Sequence, residues 1–294
     1  MYCRWNGEDW VKMWISYLRY GIIRTLCLWG ERLKNRVMGL INRIKKDQFL
    51  FEELVKRDFK KKYKRTVLGM FWSMLSPLMQ LFVMALVFTR FFGREMPHYI
   101  IYLFSGNLIF SYFNEATNQG MEALEHNAHI FSKINVPKYL FVFSKNVSSL
   151  INFGLSLCIY FVFVIADGIG LHWNFLLLIF PVACLLVFNL GMGMILSALH
   201  VFFKDIKYLY GIFTQLLMYL SAVFYTLDMF EPAIQKLFYL NPVYSYISYF
   251  RTIVLDGAIP PLWHHGICFG YAFLAAVLGF WSYHTNNYKF LYYI

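Results

Sequence analysis

Long apolar runs recur along the chain and predict an all-α protein that crosses a membrane several times. Six of these runs are long enough to span, because a helix rises about 1.5 Å per residue and the hydrocarbon core of a bilayer is roughly 30 Å thick. They occupy residues 67–92, 99–117, 139–166, 174–203, 208–227 and 266–283. The pattern therefore predicts a polytopic membrane protein with six transmembrane helices.

The distribution of cations sets the orientation of these helices. A basic block at residues 57–65 runs directly into the first span, and no ionisable residue follows until Arg90. With the N-terminus in the cytoplasm, the cytoplasmic segments hold 23 of the 27 Lys and Arg residues. Cytoplasmic loops of membrane proteins carry such an excess. We therefore expect both termini on the cytoplasmic side.

The first 56 residues predict amphipathic helices that lie in the membrane interface. Apolar residues such as Trp10, Trp14 and Leu18 recur near helical spacing among Lys and Arg residues. An additional span at 11–30 would place three cations in the bilayer, which is costly. We therefore treat 1–56 as a cytoplasmic and interfacial unit and 57–294 as the six-span domain.

The segment between spans five and six, residues 228–263, is too apolar for a solvated loop. Proline interrupts it at Pro232 and again at Asn241-Pro242, which predicts two short helices. We expect these helices to re-enter the outer leaflet, where irregular backbone is tolerated if protein surrounds it. An extracellular cap folded on itself is the alternative.

Composition excludes a soluble domain. The chain is 59% hydrophobic and 15% charged, and its mean hydropathy is +0.50. The net charge of +11 lies almost wholly in the N-terminal fifth, where topology and anionic lipid explain it better than nucleic acid does. The five cysteines show no CxxC spacing, so we interpret them as small apolar residues rather than disulfides or metal ligands.

Six short blocks follow one another in order between residues 50 and 290. They are 58–77 (DFKKKYKRTVLGMFWSMLSP), 102–106 (YLFSG), 127–137 (NAHIFSKINVP), 197–206 (SALHVFFKDI), 221–225 (SAVFY), and Asn241-Pro242 with Arg251. Together they resemble the transmembrane permease subunit of type-2 ABC exporters for lipid-linked polysaccharides, the family that exports O-antigen, capsule, rhamnan and teichoic acid. Two positions depart from the family pattern. Ala222 replaces a common proline, which weakens the expectation of a helix break there, and Lys204 replaces the usual arginine.

The resemblance implies an ATP-driven exporter that moves lipid-linked polysaccharide from the cytoplasm across the inner or plasma membrane. It implies two copies of this chain with two copies of an ABC ATPase subunit. No glycine in the sequence is followed by lysine, so the chain has no phosphate-binding loop of the GxxxxGK type. We therefore expect a non-enzymatic subunit without a cofactor of its own, with ATP and Mg bound by the partner ATPase.

The basic block suggests where an anionic group would bind. Cations at a helix N-terminus oppose the helix dipole, so helix stability does not explain them. We expect Arg57, Lys60, Lys61, Lys64 and Arg65 to capture the lipid-linked diphosphate. A plain positive-inside anchor is the alternative.

Aromatic residues suggest a path for the glycan, because sugar rings pack their C–H faces on aromatic faces. The aromatic residues expected to line a channel are Trp72, Phe88, Tyr102, Phe110, Tyr112, Phe113, Phe224 and Tyr225. Lipid-facing or interfacial positions are the alternative for each.

The resemblance also implies that the ATPase docks on residues 118–138 and near 204–207. The expected coupling residues are Asn127, Ile130, Lys133, Pro137, Lys204 and Asp205. Ordinary polar loops would be the simpler interpretation of the same segments.

Two other groups of residues could indicate a different function. Glu122, His126 and His129 share one helix face, but no fourth zinc ligand is evident and no metal is expected. His200 and Asp205 have the spacing of an acyltransferase pair. The alternative functions are thus a type-2 exporter of a drug or lipid and, less favoured, a membrane acyl- or glycosyl-transferase.

Overall fold

The computed structural model describes residues 48–60, 69, 71–92, 97–133, 136–170, 172–287 and 289–293. The chain divides into two compact units, Met1–Leu50 and Phe51–Ile294, and almost all described residues belong to the second. The interfacial helices expected within residues 1–47 lie outside the described residues, as do Lys61, Lys64 and Arg65.

The described residues form α-helices and short 3-10 helices and include no strand, which confirms the all-α prediction for this part of the chain. The α-helices are α1 (48–60), α2 (Phe71–Phe92), α3 (Tyr99–Met121), α4 (Ala123–His126), α5 (Ala128–Phe131), α6 (Tyr139–Ala166), α7 (Ile179–Phe202), α8 (Ile206–Leu220), α9 (Pro232–Phe238), α10 (Pro242–Val254), α11 (Leu262–Asn286) and α12 (Phe290–Tyr293). Two 3-10 helices, Trp173–Leu178 and Leu227–Met229, precede α7 and α9.

Helix α3 is the centre of the domain, because it packs against α2, α6, α7 and α10 and most of its residues are buried. The most extensive helix pair is α7 with α11. Its close approach depends on small residues: a Cβ at Gly191 would lie 2.3 Å from the backbone of Ala275, and one at Gly279 would lie 2.7 Å from the Gly191 carbonyl oxygen. Such small-residue contacts let transmembrane helices pack closely.

Three stretches of the described chain are long and apolar enough to cross a membrane: Tyr139–Ala166, Trp173–Phe202 and Leu262–Asn286. A shorter apolar stretch, Leu75–Thr89, lies in α2. Helix α3 is less apolar because polar residues recur along it, as described below. The chain is therefore a multi-pass membrane protein, and the count of six spans stays a prediction.

The predicted fifth span extends too far. We expected an apolar helix to Leu227, but α8 ends at Leu220 and the next residues turn, with Ala222 at φ 47°. At about 1.5 Å per residue, its 15 residues reach only about 22 Å. A left-handed conformation costs a non-glycine residue about 1–2 kcal/mol, so contacts outside α8 must hold this break.

The outer segment contains the two short helices that its prolines predict. Pro232 begins α9 and Pro242 begins α10. The Asn241 side chain caps α10 by accepting hydrogen bonds from the backbone N–H groups of Val243 at 3.0 Å and Tyr244 at 3.4 Å. The predicted breaks are therefore confirmed, while the depth of these helices in the membrane stays a prediction.

Candidate functional site

A cleft of about 470 Å³ with polar and apolar lining residues opens between α2, α3 and α6. Each helix contributes one stripe of side chains at helical spacing. The lining residues are Trp72, Ser76, Pro77, Gln80, Phe104, Asn107, Leu108, Ser111, Tyr112, Glu115, Ser149, Asn152, Phe153 and Ser156. Polar groups inside a membrane domain are costly unless they serve a ligand, water or each other, so this cleft is the first candidate site.

Hydrogen bonds hold part of this lining in place. Glu115 accepts from the side-chain amides of Asn152 at 2.7 Å and Gln119 at 2.9 Å, and the Tyr112 hydroxyl donates to Asn146 at 3.1 Å. Amides and a carboxylate beside aromatic walls are the groups that bind a sugar ring by its hydroxyls and its C–H face.

Ser149 of α6 lies in the lining of this cleft with a buried hydroxyl. Its residue is only 1% exposed, and its hydroxyl makes no hydrogen bond with any residue that the structure describes. A buried polar group without a partner costs about 1–3 kcal/mol, so it is expected to meet a ligand or water.

The predicted channel aromatics fall into three places. Trp72 and Tyr112 line the cleft. Phe110 and Phe113 are buried in the helix core, where Phe113 stacks on Phe188 with ring centroids 6.0 Å apart. The other members of the predicted set lie near the end of α8. Whether any of the set lines a channel stays a prediction.

Near the end of α8, the irregular segment 222–225 is held by side chains from other helices. Tyr99 donates to the Phe224 carbonyl at 2.7 Å, and Tyr102 donates to the Tyr225 carbonyl at 2.7 Å. The Phe224 ring stacks on Phe88 with centroids 4.6 Å apart. These contacts bring the aromatic residues predicted at 88, 102, 224 and 225 together.

Arg251 of α10 completes this support, and we call its set of contacts the arginine clamp. The residue is 7% exposed. Its guanidinium donates to the carbonyls of Ala222 at 2.8 Å, Val223 at 3.0 Å and Tyr102 at 3.1 Å, and to the Ser105 hydroxyl at 3.3 Å. Together, Arg251, Tyr99 and Tyr102 donate hydrogen bonds to the four consecutive carbonyls of residues 222–225, which lie outside any helix. Irregular backbone inside a membrane domain requires such partners.

Gly106 makes room for the clamp. A Cβ at this position would lie 2.5 Å from Nη2 of Arg251 and 3.3 Å from Cα of Val223. The Tyr102 ring lies against the guanidinium on another side, 3.4 Å from its Cζ to the ring centroid. In the sequence, Arg251 is recognisable only as part of a motif, and its role in the clamp is not predicted. The signal that could have found it was the one arginine in the largely apolar segment 228–263.

A second cavity of about 470 Å³ lies beside the clamp, at the end of the domain that we expect to be outer, and we call it the outer pocket. It is lined by Pro97, His98, Tyr102, Thr226, Leu227, Asp228, Gln235, Tyr239, Tyr244, Ser248, Arg251, Thr252, Leu255 and Asp256. Burial raises the pKa of the Asp256 carboxyl above its usual value. Sequence analysis did not predict this pocket.

At the end of the domain that we expect to be cytoplasmic, ion pairs join the segment after α3 to the turn between α7 and α8. We call this set the cytoplasmic bracket. Glu125 lies 2.8 Å from Nε2 of His200 and 2.9 Å from Nζ of Lys204, and Glu122 lies 2.6 Å from Nζ of Lys207. The hydrogen bond from Lys204 lowers the pKa of Glu125. The two segments predicted to dock an ATPase are therefore tied to each other.

The bracket bears on the acyltransferase interpretation. The partner of His200 is Glu125, 75 residues earlier in the chain, rather than the nearby Asp205. An acyltransferase pair requires the aspartate to orient the histidine. The structure does not bring His200 and Asp205 together in that way.

Helix α1 packs at the same end of the domain as the cytoplasmic bracket, and its Asp58 is 6% exposed. Arg57 donates to its Oδ1 at 2.8 Å, and Nζ of Lys145 lies 3.2 Å from Oδ2 in an ion pair outside hydrogen-bond geometry. Arg57 also donates to the Asn127 side chain at 2.7 Å. From the sequence we expect Arg57 to capture the diphosphate and Asn127 to couple to the ATPase. In the structure the two side chains are in contact. Lys60 is exposed.

The remaining coupling residues lie around this end without joining the bracket. Lys133 and Asp205 are exposed, whereas Ile130 and Pro137 are half-buried. Exposed residues at the cytoplasmic end are available to a partner. Their role in docking stays a prediction.

Comparisons with known proteins give the same picture of the chain. Residues 50–255 match the family model described as ABC-2 type transporter. The chain is similar to the O-antigen export system permease protein RfbA of Myxococcus xanthus, at 28% identity over 228 residues, which cover 76% of this chain and 87% of that protein. A Klebsiella pneumoniae protein of the same name is 24% identical over 247 residues, 82% of this chain and 95% of that protein. The polysialic acid transport protein KpsM of Escherichia coli is 22% identical over 211 residues, covering 71% and 82%.

Proposed function

This chain belongs to the ABC-2 type transporter family, and from that membership we propose that it is the transmembrane subunit of an ATP-driven exporter of lipid-linked polysaccharide. The observation that carries the proposal is the similarity over most of the chain to permeases named for O-antigen export and polysialic acid transport. The polar and aromatic cleft in an apolar domain supports it. A drug or a simple lipid would not require a row of amides and hydroxyls across three helices.

The proposed architecture has six spans, cytoplasmic termini and two copies of this chain in the inner or plasma membrane. Helices α9 and α10 re-enter the outer leaflet. Ile234, Leu237 and Leu240 support this placement, because all three are more than 40% exposed in a segment that faces the outer side. Lipid or a second copy of the chain would cover them.

The cargo divides into parts that need different surroundings. The polyprenyl tail stays in lipid, whereas the polymer hydroxyls need polar partners because they cannot dissolve in hydrocarbon. The cleft offers those partners from α3 and α6. The diphosphate binds cations at the cytoplasmic entrance, where Lys60 is exposed and Lys61, Lys64 and Arg65 continue the basic block. Arg57 contributes less, because Asp58 and Asn127 already engage it.

A separate ABC ATPase supplies the energy and docks at the cytoplasmic end. The cytoplasmic bracket joins the two predicted docking segments, so a displacement of one segment is transmitted to the other. It also connects them to the cytoplasmic ends of α3 and α7 through Glu122, Glu125 and His200. ATP hydrolysis would thereby move α3, which borders the cleft.

Deletion of the gene in its native strain tests the proposed function. We expect surface polysaccharide to disappear from the outer face and lipid-linked polymer to accumulate inside, detected by immunoblot of intact and lysed cells. Expression of the wild-type chain should restore display. Unchanged surface polysaccharide in the deletion strain would contradict the function.

The capture role has its own test within the same strain. Replacement of Lys61, Lys64 and Arg65 with Gln should abolish export while the amount of chain in the membrane fraction stays constant. The matched control is Lys236→Gln, an exposed cation on the outer segment. Unchanged export by the triple variant would leave the basic block as a topology signal only.

A further inference from the structure

The residues that follow α11 fold back onto the end of the domain that holds the cytoplasmic bracket. Phe290 of α12 is fully buried, and its ring centroid lies 5.9 Å from that of Phe202 and 5.3 Å from that of Tyr283. Tyr293 meets Phe202 edge to face, with centroids 5.1 Å apart. These ring contacts hold the segment against the last residue of α7, two positions before Lys204.

Lys138, directly before α6, binds the same segment from another side. Its Nζ donates to the backbone carbonyl of Asn287 and, at 3.2 Å, to the side-chain oxygen of that residue. The ammonium group also lies 6.0 Å from the ring centroid of Phe131 and 5.7 Å from that of Phe290. These distances allow cation–π attraction. Lys138 thus joins α5, the start of α6 and the residues after α11.

The surroundings of Lys138 differ from those of a cation that only marks the cytoplasmic side of a span. Such cations lie at the surface, as Lys133 and Lys289 do. Lys138 is 8% exposed, and burial lowers its pKa. Among the described residues its hydrogen-bond acceptors are the two oxygens of Asn287, and no carboxylate joins them. Because a buried ammonium group is costly without partners, Lys138 and the segment after α11 hold each other in place.

These contacts make a second connection between the two segments that are predicted to dock an ATPase. Phe131 and Lys138 belong to the first segment, 118–138, and Phe202 lies just before the second, 204–207. We call this connection the aromatic bridge, and its residues are Phe131, Lys138, Phe202, Asn287 and Phe290.

The aromatic bridge differs from the cytoplasmic bracket in burial. The bracket joins the same two segments through partly exposed ion pairs, which are weak and re-form easily. In the aromatic bridge, the lysine and the two rings beside it are buried. The bridge can therefore keep the two segments together while the ion pairs open.

We propose, on the basis of the function above, that the aromatic bridge couples ATP hydrolysis to export, and that Lys138 is its positioning residue. Lys138 holds the two docking segments together, so that they move as one unit when the ATPase moves. The residues after α11 are then part of the coupling region. Without the bridge, ATP is still hydrolysed, but less of the resulting movement reaches α3.

The amount of transport per ATP tests this role. Inverted vesicles that contain the chain and its ATPase receive radiolabelled lipid-linked polysaccharide, and both ATP hydrolysis and protection of the label from glycosidase are measured. Lys138→Met removes the charge and keeps a side chain of similar length. We expect at least about a fivefold fall in label protected per ATP, the lower end of typical coupling between linked sites. Hydrolysis without cargo should stay at the wild-type rate. A merely structural role would lower hydrolysis and protection together and leave their ratio unchanged.

Three more variants make the test specific to the bridge. Lys289→Met removes an exposed cation from the same segment and should match the wild type. Lys138→Arg keeps a cation that stacks on aromatic rings and should recover part of the ratio. Phe290→Ala should lower the ratio as Lys138→Met does, and the double variant should be no worse than either, because both changes break one connection.

The outcomes separate this inference from the function on which it rests. All ratios are taken at equal amounts of both subunits in the vesicle membrane. A wild-type ratio in either Lys138→Met or Phe290→Ala would overturn the inference and leave the proposed function intact. Wild-type vesicles that hydrolyse ATP without protecting the label would contradict the proposed function itself.

Discussion

The two ends of the helical domain satisfy their polar groups in different ways. At the cytoplasmic end, charges meet opposite charges on other segments, as Glu125 meets Lys204 with side chains 44% and 52% exposed. At the outer end, the buried guanidinium of Arg251 donates hydrogen bonds to backbone carbonyls. The carboxylates of Asp228 and Asp256 form no hydrogen bond or ion pair with another residue that the structure describes. Exposed ion pairs are weak and re-form easily, whereas a buried guanidinium is costly to displace.

This difference indicates two tasks. A cytoplasmic end that can break and re-form its contacts suits a docking surface that moves with an ATPase. An outer end held by buried side chains of Arg251, Tyr99 and Tyr102 suits a fixed frame beside the outer pocket. The variants below test that contrast, from the largest expected effect to the smallest.

Arg251→Ala is expected to have the largest effect. It leaves the carbonyls of Ala222 and Val223 buried without this donor, at about 1–3 kcal/mol for each unsatisfied group. We expect a loss of about 3 kcal/mol or more, measured as a fall in the thermal unfolding midpoint in detergent. Arg251→Lys should recover only part of the lost stability, because an ammonium group lacks the fork geometry of a guanidinium group. A midpoint equal to that of the wild type would contradict a stabilising role for the arginine clamp.

Asp58→Asn is the corresponding change at the cytoplasmic end. It removes the buried charge that Arg57 and Lys145 share, and a hydrogen bond to a charged group contributes about 1.5–3 kcal/mol. We expect a loss of about 2 kcal/mol by the same measurement. Glu53→Gln is the control, because its ion pair with Lys56 is more than half exposed and should contribute under about 1 kcal/mol. Equal midpoints for the two variants would show that burial does not distinguish these pairs.

Gly106→Ala tests the space that the clamp needs. The added Cβ would lie 2.5 Å from Nη2 of Arg251, and overpacking costs about 1–3 kcal/mol. Gly154→Ala in α6 is the matched control, because its Cβ would meet nothing within 4 Å. We expect the control to be neutral or slightly stabilising, since alanine favours a helix over glycine. Two variants with the same stability would contradict the tight contact.

The Glu125–Lys204 pair should give the smallest change in stability. Exposed pairs contribute about 0.2–1 kcal/mol. Glu125→Lys and Lys204→Glu should each weaken stimulation of the ATPase by the membrane subunit, and the double exchange should restore it in part. The ATPase rate of the purified complex is the measurement. Single variants without effect on that rate would show that the bracket has no role in coupling to the ATPase.

Much of the fold was accessible from the sequence. The predicted third span, 139–166, coincides with α6, and the prolines at 232 and 242 mark the starts of α9 and α10. Apolar length and proline act locally, so a linear pattern reports them. The ordered motifs were informative as well, because 102–106, 221–225 and Arg251 meet in the arginine clamp.

What the sequence missed depends on distant contacts. Residues 221–227 are as apolar as the helix before them, so composition gave no reason to end α8 at Leu220. The break is held by Arg251, 29 residues after Ala222, and by Tyr99 and Tyr102 of α3. The cleft was also missed, since its stripes come from three helices whose relative rotation no linear pattern specifies.

ATP-driven movement of the cargo in membrane vesicles tests the central claim most directly. Inverted inner-membrane vesicles that contain the chain and its ATPase are loaded on their outer face with radiolabelled lipid-linked polysaccharide from the native strain. The account predicts that ATP makes the label resistant to added glycosidase, and that vesicles with the Lys61, Lys64 and Arg65 to Gln variant show no such protection. Label that stays fully sensitive in wild-type vesicles with ATP, while the ATPase is active, would contradict it.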